Sequence, residues 1–169
     1  QEELRQLVRS RLAVQSHTTR LKIRIVRVLA THGHRFTAGK SNWTQKHRTW
    51  LRKLHRELEG PLQTVLAHHL EHLEYLEAQK HSLEAEIDRY SRKEPFRRKV
   101  EALCCFRGIK TLTAMTILTE LGDIRRFAQP TGLMAFAGLV PSERSSGNVR
   151  RRGSITKTVP DELLRGRTK

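Results

Sequence analysis

No run of eighteen apolar residues occurs anywhere in the 169-residue chain, so the sequence offers no helix suited to crossing a bilayer. Its first residues are not a cationic segment followed by an apolar one, which speaks against an export signal. Low-complexity tracts are missing too. Acid is scarce: 17 Asp and Glu stand against 33 Lys and Arg, giving a formal charge of +16 and a pI near 11.0. A surface so far from neutrality selects a polyanion as partner, and without membrane segments nucleic acid is a better choice than an anionic bilayer. The composition points to the cytoplasm.

Cysteine is limited to the adjacent pair Cys104 and Cys105 in "ALCCF". Sequence neighbours rarely bond to each other, and zinc ligands need intervening residues that this pair lacks. Two small buried hydrophobes are expected, with no oxidising compartment implied. The length suits one ordinary domain, or a small domain with an elongated helical part.

The organisation is helical. Leu4, Leu7, Arg11, Val14, Thr18, Leu21, Ile25 and Val28 recur at alternating steps of three and four, a heptad seam with two polar interruptions. They predict a helix over residues 2–30. "THGHRFTAGKSN" breaks the pattern with glycine and small polar residues. Asn42 with Gln45 has capping-box spacing, predicting a second helix over 42–59 with Trp43, Trp50, Leu51, Leu54 and Leu58 on its apolar face. Gly60 and Pro61 end that helix and begin a third over 61–90. Its seam runs Leu66, His69, Leu73, Leu76, Lys80, Leu83, Ile87 and Tyr90. Two seams of similar length suit either an antiparallel coiled-coil hairpin or a dimeric bundle. His68 and His72 share a helix face, but no zinc-protease glutamate accompanies them, so a solvated or register-setting role is preferred over a metal site.

After the cationic hinge "SRKEPFRRK" the composition changes, placing a domain boundary near residue 95. "LCCFRGIKTLTAMTILTELGD" reads as helix, tight turn, helix. Gly108 sits where positive φ is needed, Leu112, Met115 or Thr116, and Leu118 continue the apolar face, and Gly122 ends the second helix. Such a unit is either a helix-hairpin-helix offering backbone N–H groups to phosphate, or an ordinary helix pair. Arg107 and Lys110 flank Gly108 and Ile109, adding two cations to the turn. Asp123 reads as a local cap, and Thr131 as the cap of a short helix burying Leu133, Met134, Phe136 and Leu139.

"GLVPSERSSGNVRRRGSITK" (138–157) sets two serines and a glycine among Arg144, Arg150, Arg151, Arg152 and Lys157. A serine hydroxyl is a poor nucleophile without activation, and Glu143 is the one nearby acid. The arginines suit a phosphodiester whose charge grows during attack, and Gly147 permits close backbone approach. Two readings stand: a solvated loop that binds nucleic acid, and a loop that delivers a hydroxyl to phosphorus.

"FTAGKSNWTQKHRTWLRKL", "LCCFRGIKTLTAMTILTELGDIRRFAQPTGLMAFAGLVPSERSSG" and "RRRGSITKT" together resemble the C-terminal half of the bacterial insertion-sequence transposases of the IS-one-ten group, the bridge-RNA-guided recombinases. The resemblance runs to about Thr158 and is dense over 101–158. It implies a coiled-coil stalk (1–94) that multimerises and a serine domain (95–158). The serine before glycine falls on Ser146, with Ser145 adjacent, and would form a 5′-phosphoserine link to DNA. The resemblance also implies a structured guide RNA that supplies specificity by pairing, and a place at the bacterial nucleoid. A RuvC-like domain bearing magnesium would precede the stalk in the family. Here residue 1 already lies in the stalk helix, so no cofactor is expected in this chain. "ITKTVPDELLRGRTK" departs from the family's "ITKTG" continuation, which marks 159–169 as an aberrant tail. Both departures favour binding over cutting for this chain alone. The expected fold is therefore mainly α: a long stalk, then a small helical domain with a basic serine loop.

Overall fold

A computed structural model of the chain describes residues 2–139, 141–143 and 152–155. Over these residues the protein is mainly α-helical, as expected. Helices α1 (Glu2–Thr31), α2 (Gln45–Glu57), α3 (Pro61–Ser91), α4 (Arg97–Cys104), α5 (Thr111–Leu121) and α6 (Pro130–Phe136) are joined by a 3₁₀ turn at Ile124–Arg126 and two short strands, β1 (Pro141–Glu143) and β2 (Arg152–Ile155). No helix among the described residues is long and apolar enough to cross a membrane.

The chain divides into two compact units, Ala13–Ser82 and the combination of Gln1–Leu12 with Leu83–Lys169. In the first, buried residues recur along α1 at Val14, Thr18, Leu21, Ile25 and Leu29, joined by Leu51 and Leu54 of α2 and Leu66, Leu73 and Leu76 of α3. Each fully buried leucine or isoleucine contributes about 1.5–3 kcal/mol. Thr18 is tolerated on this seam because its hydroxyl donates to the Val14 carbonyl at 2.8 Å, so no polar atom is stranded.

In the second unit the α1 pattern changes. Leu4, Val8 and Leu12 lie at steps of four and pack with Ile87, Val100, Ala114 and Met115, while Leu7 is only partly buried. The buried positions thus depart from a strict heptad, and the two-residue step from Leu12 to Val14 falls where one unit passes to the other. Arg11, the other polar position of the predicted seam, is half-buried and paired with Glu84.

Several local expectations are corrected. Helix α2 begins at Gln45 with Thr44 as its cap, whose side chain accepts from the His47 N–H at 3.4 Å, so Asn42 is not the capping residue. The reason is backbone geometry: Thr44 is extended while Trp43 turns the chain at φ 68°. Cys104 and Cys105 are exposed rather than buried, because Val100 and Leu103 supply the inward face of α4. Helix α6 starts with Pro130 after an extended Gln129, not with a Thr131 cap, and Met134 and Leu139 stay exposed. Proline needs no N–H partner at the first helical position, which removes the demand for a side-chain cap.

An ion pair locks α5 to α1. Arg9 donates from Nε and Nη2 to the two Glu120 oxygens, both at 2.8 Å. The Glu120 side chain is 3% exposed and that of Arg9 37%. Replacing Arg9 with Leu strands a buried carboxylate and lowers the unfolding free energy by about 3 kcal/mol. Glu120→Gln leaves an arginine that water still reaches, and lowers it by about 1 kcal/mol. Urea unfolding followed by circular dichroism compares the two, and equal losses would overturn this asymmetry.

Candidate nucleic-acid interface

From Leu4 to Arg56 the sequence contains no aspartate or glutamate. The cations of this stretch therefore find acids only elsewhere in the chain. In the unit Ala13–Ser82, Glu77 of α3 takes two of them, Lys22 Nζ at 2.8 Å and Arg48 through paired bonds at 3.0 and 2.7 Å. The Arg48 hydrogen bond, with help from Lys22, lowers the Glu77 pKa from 4.5 to about 2. Arg20, Arg27, Arg35, Lys40 and Lys46 are exposed. Such an array of exposed charge suits a polyanion such as a phosphate backbone.

Helix α2 carries a residue that the sequence reading passed over. His47 is 1% exposed and its Nδ1 has no hydrogen-bond partner. Its ring is packed edge-on against Phe36 and Trp43, with centroids 4.9 and 5.1 Å away, and tilted against Trp50 at 5.4 Å. Burial, followed by the Arg48 charge, pushes its pKa below the usual 6.5. The signal was that His47 stands three and four residues before Trp50 and Leu51, on the apolar face of α2. His68 and His72 are exposed, and His69 is half-buried with its pKa lowered by burial and by Arg24. No group of three or more His, Cys, Asp or Glu suited to holding a metal occurs among the described residues.

In the other unit, α4 and α5 are joined by a turn in which Gly108 has φ +90°. A Cβ there would meet nothing within 4 Å, so glycine is required by the left-handed backbone rather than by crowding. Arg107, Gly108 and Lys110 are exposed, Ile109 is partly buried against the core, and Lys110 precedes α5 without a side-chain cap. The turn thus brings two cations beside the first turn of a helix, whose backbone N–H groups lack partners within the helix. Gly122 ends α5 at φ 67°, and Asp123 caps the next turn by accepting from the Arg125 N–H at 3.0 Å, as expected from the sequence.

Beyond α6, β1 and β2 pair antiparallel, with Pro141 opposite Ile155 and Glu143 opposite Arg152. Arg152 thereby opens β2 at the point where β1 closes. Arg144, Ser145, Ser146, Gly147, Arg150, Arg151 and Lys157 lie outside the described residues.

Comparison with known proteins bears on the same segment. Residues 100–165 match the transposase IS116/IS110/IS902 family. That segment is similar to insertion-sequence transposases. A protein named transposase y4qE from Sinorhizobium fredii is 31% identical over 163 residues, 92% of this chain and 36% of that protein. The transposase for insertion sequence element IS1533 of Leptospira borgpetersenii is 30% identical over 124 residues, 73% of this chain and 36% of that one. The transposase for element IS1111A of Coxiella burnetii is 39% identical over a shorter stretch of 54 residues. The chain thus spans roughly a third of the length of the first two transposases.

The titrating groups of this chain give it a defined acid response. A histidine whose folded pKa is depressed is protonated first in the unfolded chain, so stability is full above about 6.5 and declines as pH falls below it. His47 and His69 both act in this sense. Glu77 adds a second decline, as pH falls from 4.5 towards about 2. Thermal melts between pH 7.5 and 5 should show a falling Tm that His47→Leu makes shallower. A wild-type Tm constant over that range would contradict the assignment.

Proposed function

We propose that this chain is the stalk and serine domain of a DNA transposase, with Ser146 as nucleophile. The observation that carries this reading is the family match over residues 100–165, which includes the whole "SERSSGNVRRRGSITK" segment. The Ser146 hydroxyl oxygen bonds to phosphorus of a DNA phosphodiester and the bond from phosphorus to the 3′ oxygen breaks. The 5′-phosphate stays on the serine while the 3′ oxygen leaves with a proton. Bond energy is conserved for rejoining, because the released 3′ hydroxyl or another one can attack the phosphoserine. Arg144, Arg150, Arg151 and Arg152 offset the charge that builds on the phosphoryl oxygens, Gly147 admits the strand, and Lys157 extends the cationic surface. Ser145 is the neighbouring alternative.

Arg107, Gly108, Ile109 and Lys110 hold the duplex backbone at the turn before α5. A structured guide RNA supplies specificity by base pairing, which leaves the protein mainly phosphate contacts. The helical stalk joins copies into a homo-oligomer. Magnesium, held by a carboxylate set in a further domain of the enzyme, would complete the chemistry. Among the described residues no group of three or more His, Cys, Asp or Glu suits that task, and Glu77, Glu84 and Glu120 are engaged with arginine or lysine. A second reading is a basic helical module that binds nucleic acid without cutting it. It is supported by the acid-free stretch 4–56, whose cations need no chemistry to hold a phosphate backbone.

Labelled element-end DNA, incubated with a transposase containing this chain and run on a denaturing gel, separates the readings. A covalent adduct that disappears in Ser146→Ala and survives in Ser145→Ala is expected. The reverse pattern would move the nucleophile to Ser145, and binding with no adduct in any form would favour the second reading. For the turn, Arg107→Ala with Lys110→Ala should flatten the slope of log affinity against log salt by about 2, close to one phosphate contact per cation. An unchanged slope would remove the turn from the interface.

A further inference from the structure

Within the unit Ala13–Ser82, a cavity of about 290 Å³ lies beside Phe36, His47 and Trp50, with His34, Arg35 and Asn42 also lining it. We propose that it receives one unstacked nucleobase of a single-stranded nucleic acid. The inference rests on the reading that the chain binds nucleic acid, and it names a site which that reading does not require. The volume is near the lower limit of small-ligand pockets, which suits one planar ring system. Two half-buried aromatic rings, Phe36 and Trp50, stand 5.6 Å apart at their centroids and offer π surface. Stacking on such rings is how proteins hold bases taken out of a helix.

The polar features agree with that occupant. His47 is an imidazole with a buried nitrogen that makes no hydrogen bond, an arrangement that is unfavourable until something supplies one. Nδ1 is itself buried, so a base meets it only as the imidazole turns. No hydrogen bond on Nδ1 opposes that turn, which is made against the packing of Phe36, Trp43 and Trp50. The edge of a nucleobase carries both donors and acceptors, so it satisfies either tautomer of the neutral ring. Asn42 adds a side-chain amide. No carboxylate lines the cavity, and the exposed guanidinium of Arg35 at its edge suits the phosphate that follows the base. A strand rather than a free base is favoured because Lys40 and Lys46, also exposed, continue the positive charge along the same segment.

The test uses the whole chain and four single-stranded 12-mers: DNA and RNA, each intact or with its bases removed at the central positions. Wild-type protein should bind the intact strand about tenfold or more tightly than the abasic one, and the ratio should fall towards one in Phe36→Leu while Phe36→Tyr restores it. The sugar that shows the larger ratio identifies the source of the base. Equal affinity of wild-type protein for intact and abasic strands, with binding still salt-dependent, overturns the pocket and leaves the nucleic-acid reading intact. Absence of salt-dependent binding to every strand overturns the nucleic-acid reading itself. The wild-type comparison stands even if Phe36→Leu fails to fold.

Discussion

Glu77, Glu84 and Glu120 hold four cations of α1 and α2, namely Lys22, Arg48, Arg11 and Arg9. In a chain with about half as many acids as bases, each such pair fixes more than a local contact. It sets the rotation of a basic helix, since a long helix with charge on several faces needs some reason to present one of them inward. Arg9 with Glu120 does this for the start of α1 and for α5, and Lys22 with Arg48 on Glu77 does it within the other unit. Cations that find no acid are left facing water. The excess charge therefore acts as a surface property and does not act as a defect in the core.

The periodicity of the apolar residues announced the long helices well, because α1 and α3 must bury one stripe each and leucine spacing records the stripe. It did not record that α1 serves two cores. A heptad seam continues smoothly through Leu7, Arg11 and Val14, whereas the buried set runs through Val8 and Leu12 before it shifts. Both patterns were present in the sequence. Choosing between them required the partners Ile87, Val100 and Met115, which are distant along the chain.

Turns were legible where backbone chemistry allows few residues. Gly108, Gly60 and Gly122 all have positive φ, and Asp123 caps the turn that follows α5. Caps chosen among several polar candidates were less legible: Thr44 replaced Asn42, and Pro130 made a Thr131 cap unnecessary. His47 was missed because a histidine between two tryptophans reads as polar decoration of an apolar face. Cys104 and Cys105 failed in the opposite direction, since their apolar neighbours suggested burial and the inward face of α4 was already filled.

The amino-acid sequence by itself determined the positive charge, the helical periods, the glycine turns and the resemblance of residues 101–158 to insertion-sequence transposases. These are properties of composition and of near neighbours, and they survive without knowledge of the fold. Only the tertiary structure decided which acids neutralise which arginines, which cations remain outward, and that His47 closes an aromatic cluster with one nitrogen unpaired. The physical reason is that burial and pairing depend on groups brought together from far apart in the chain, and no local pattern encodes their meeting.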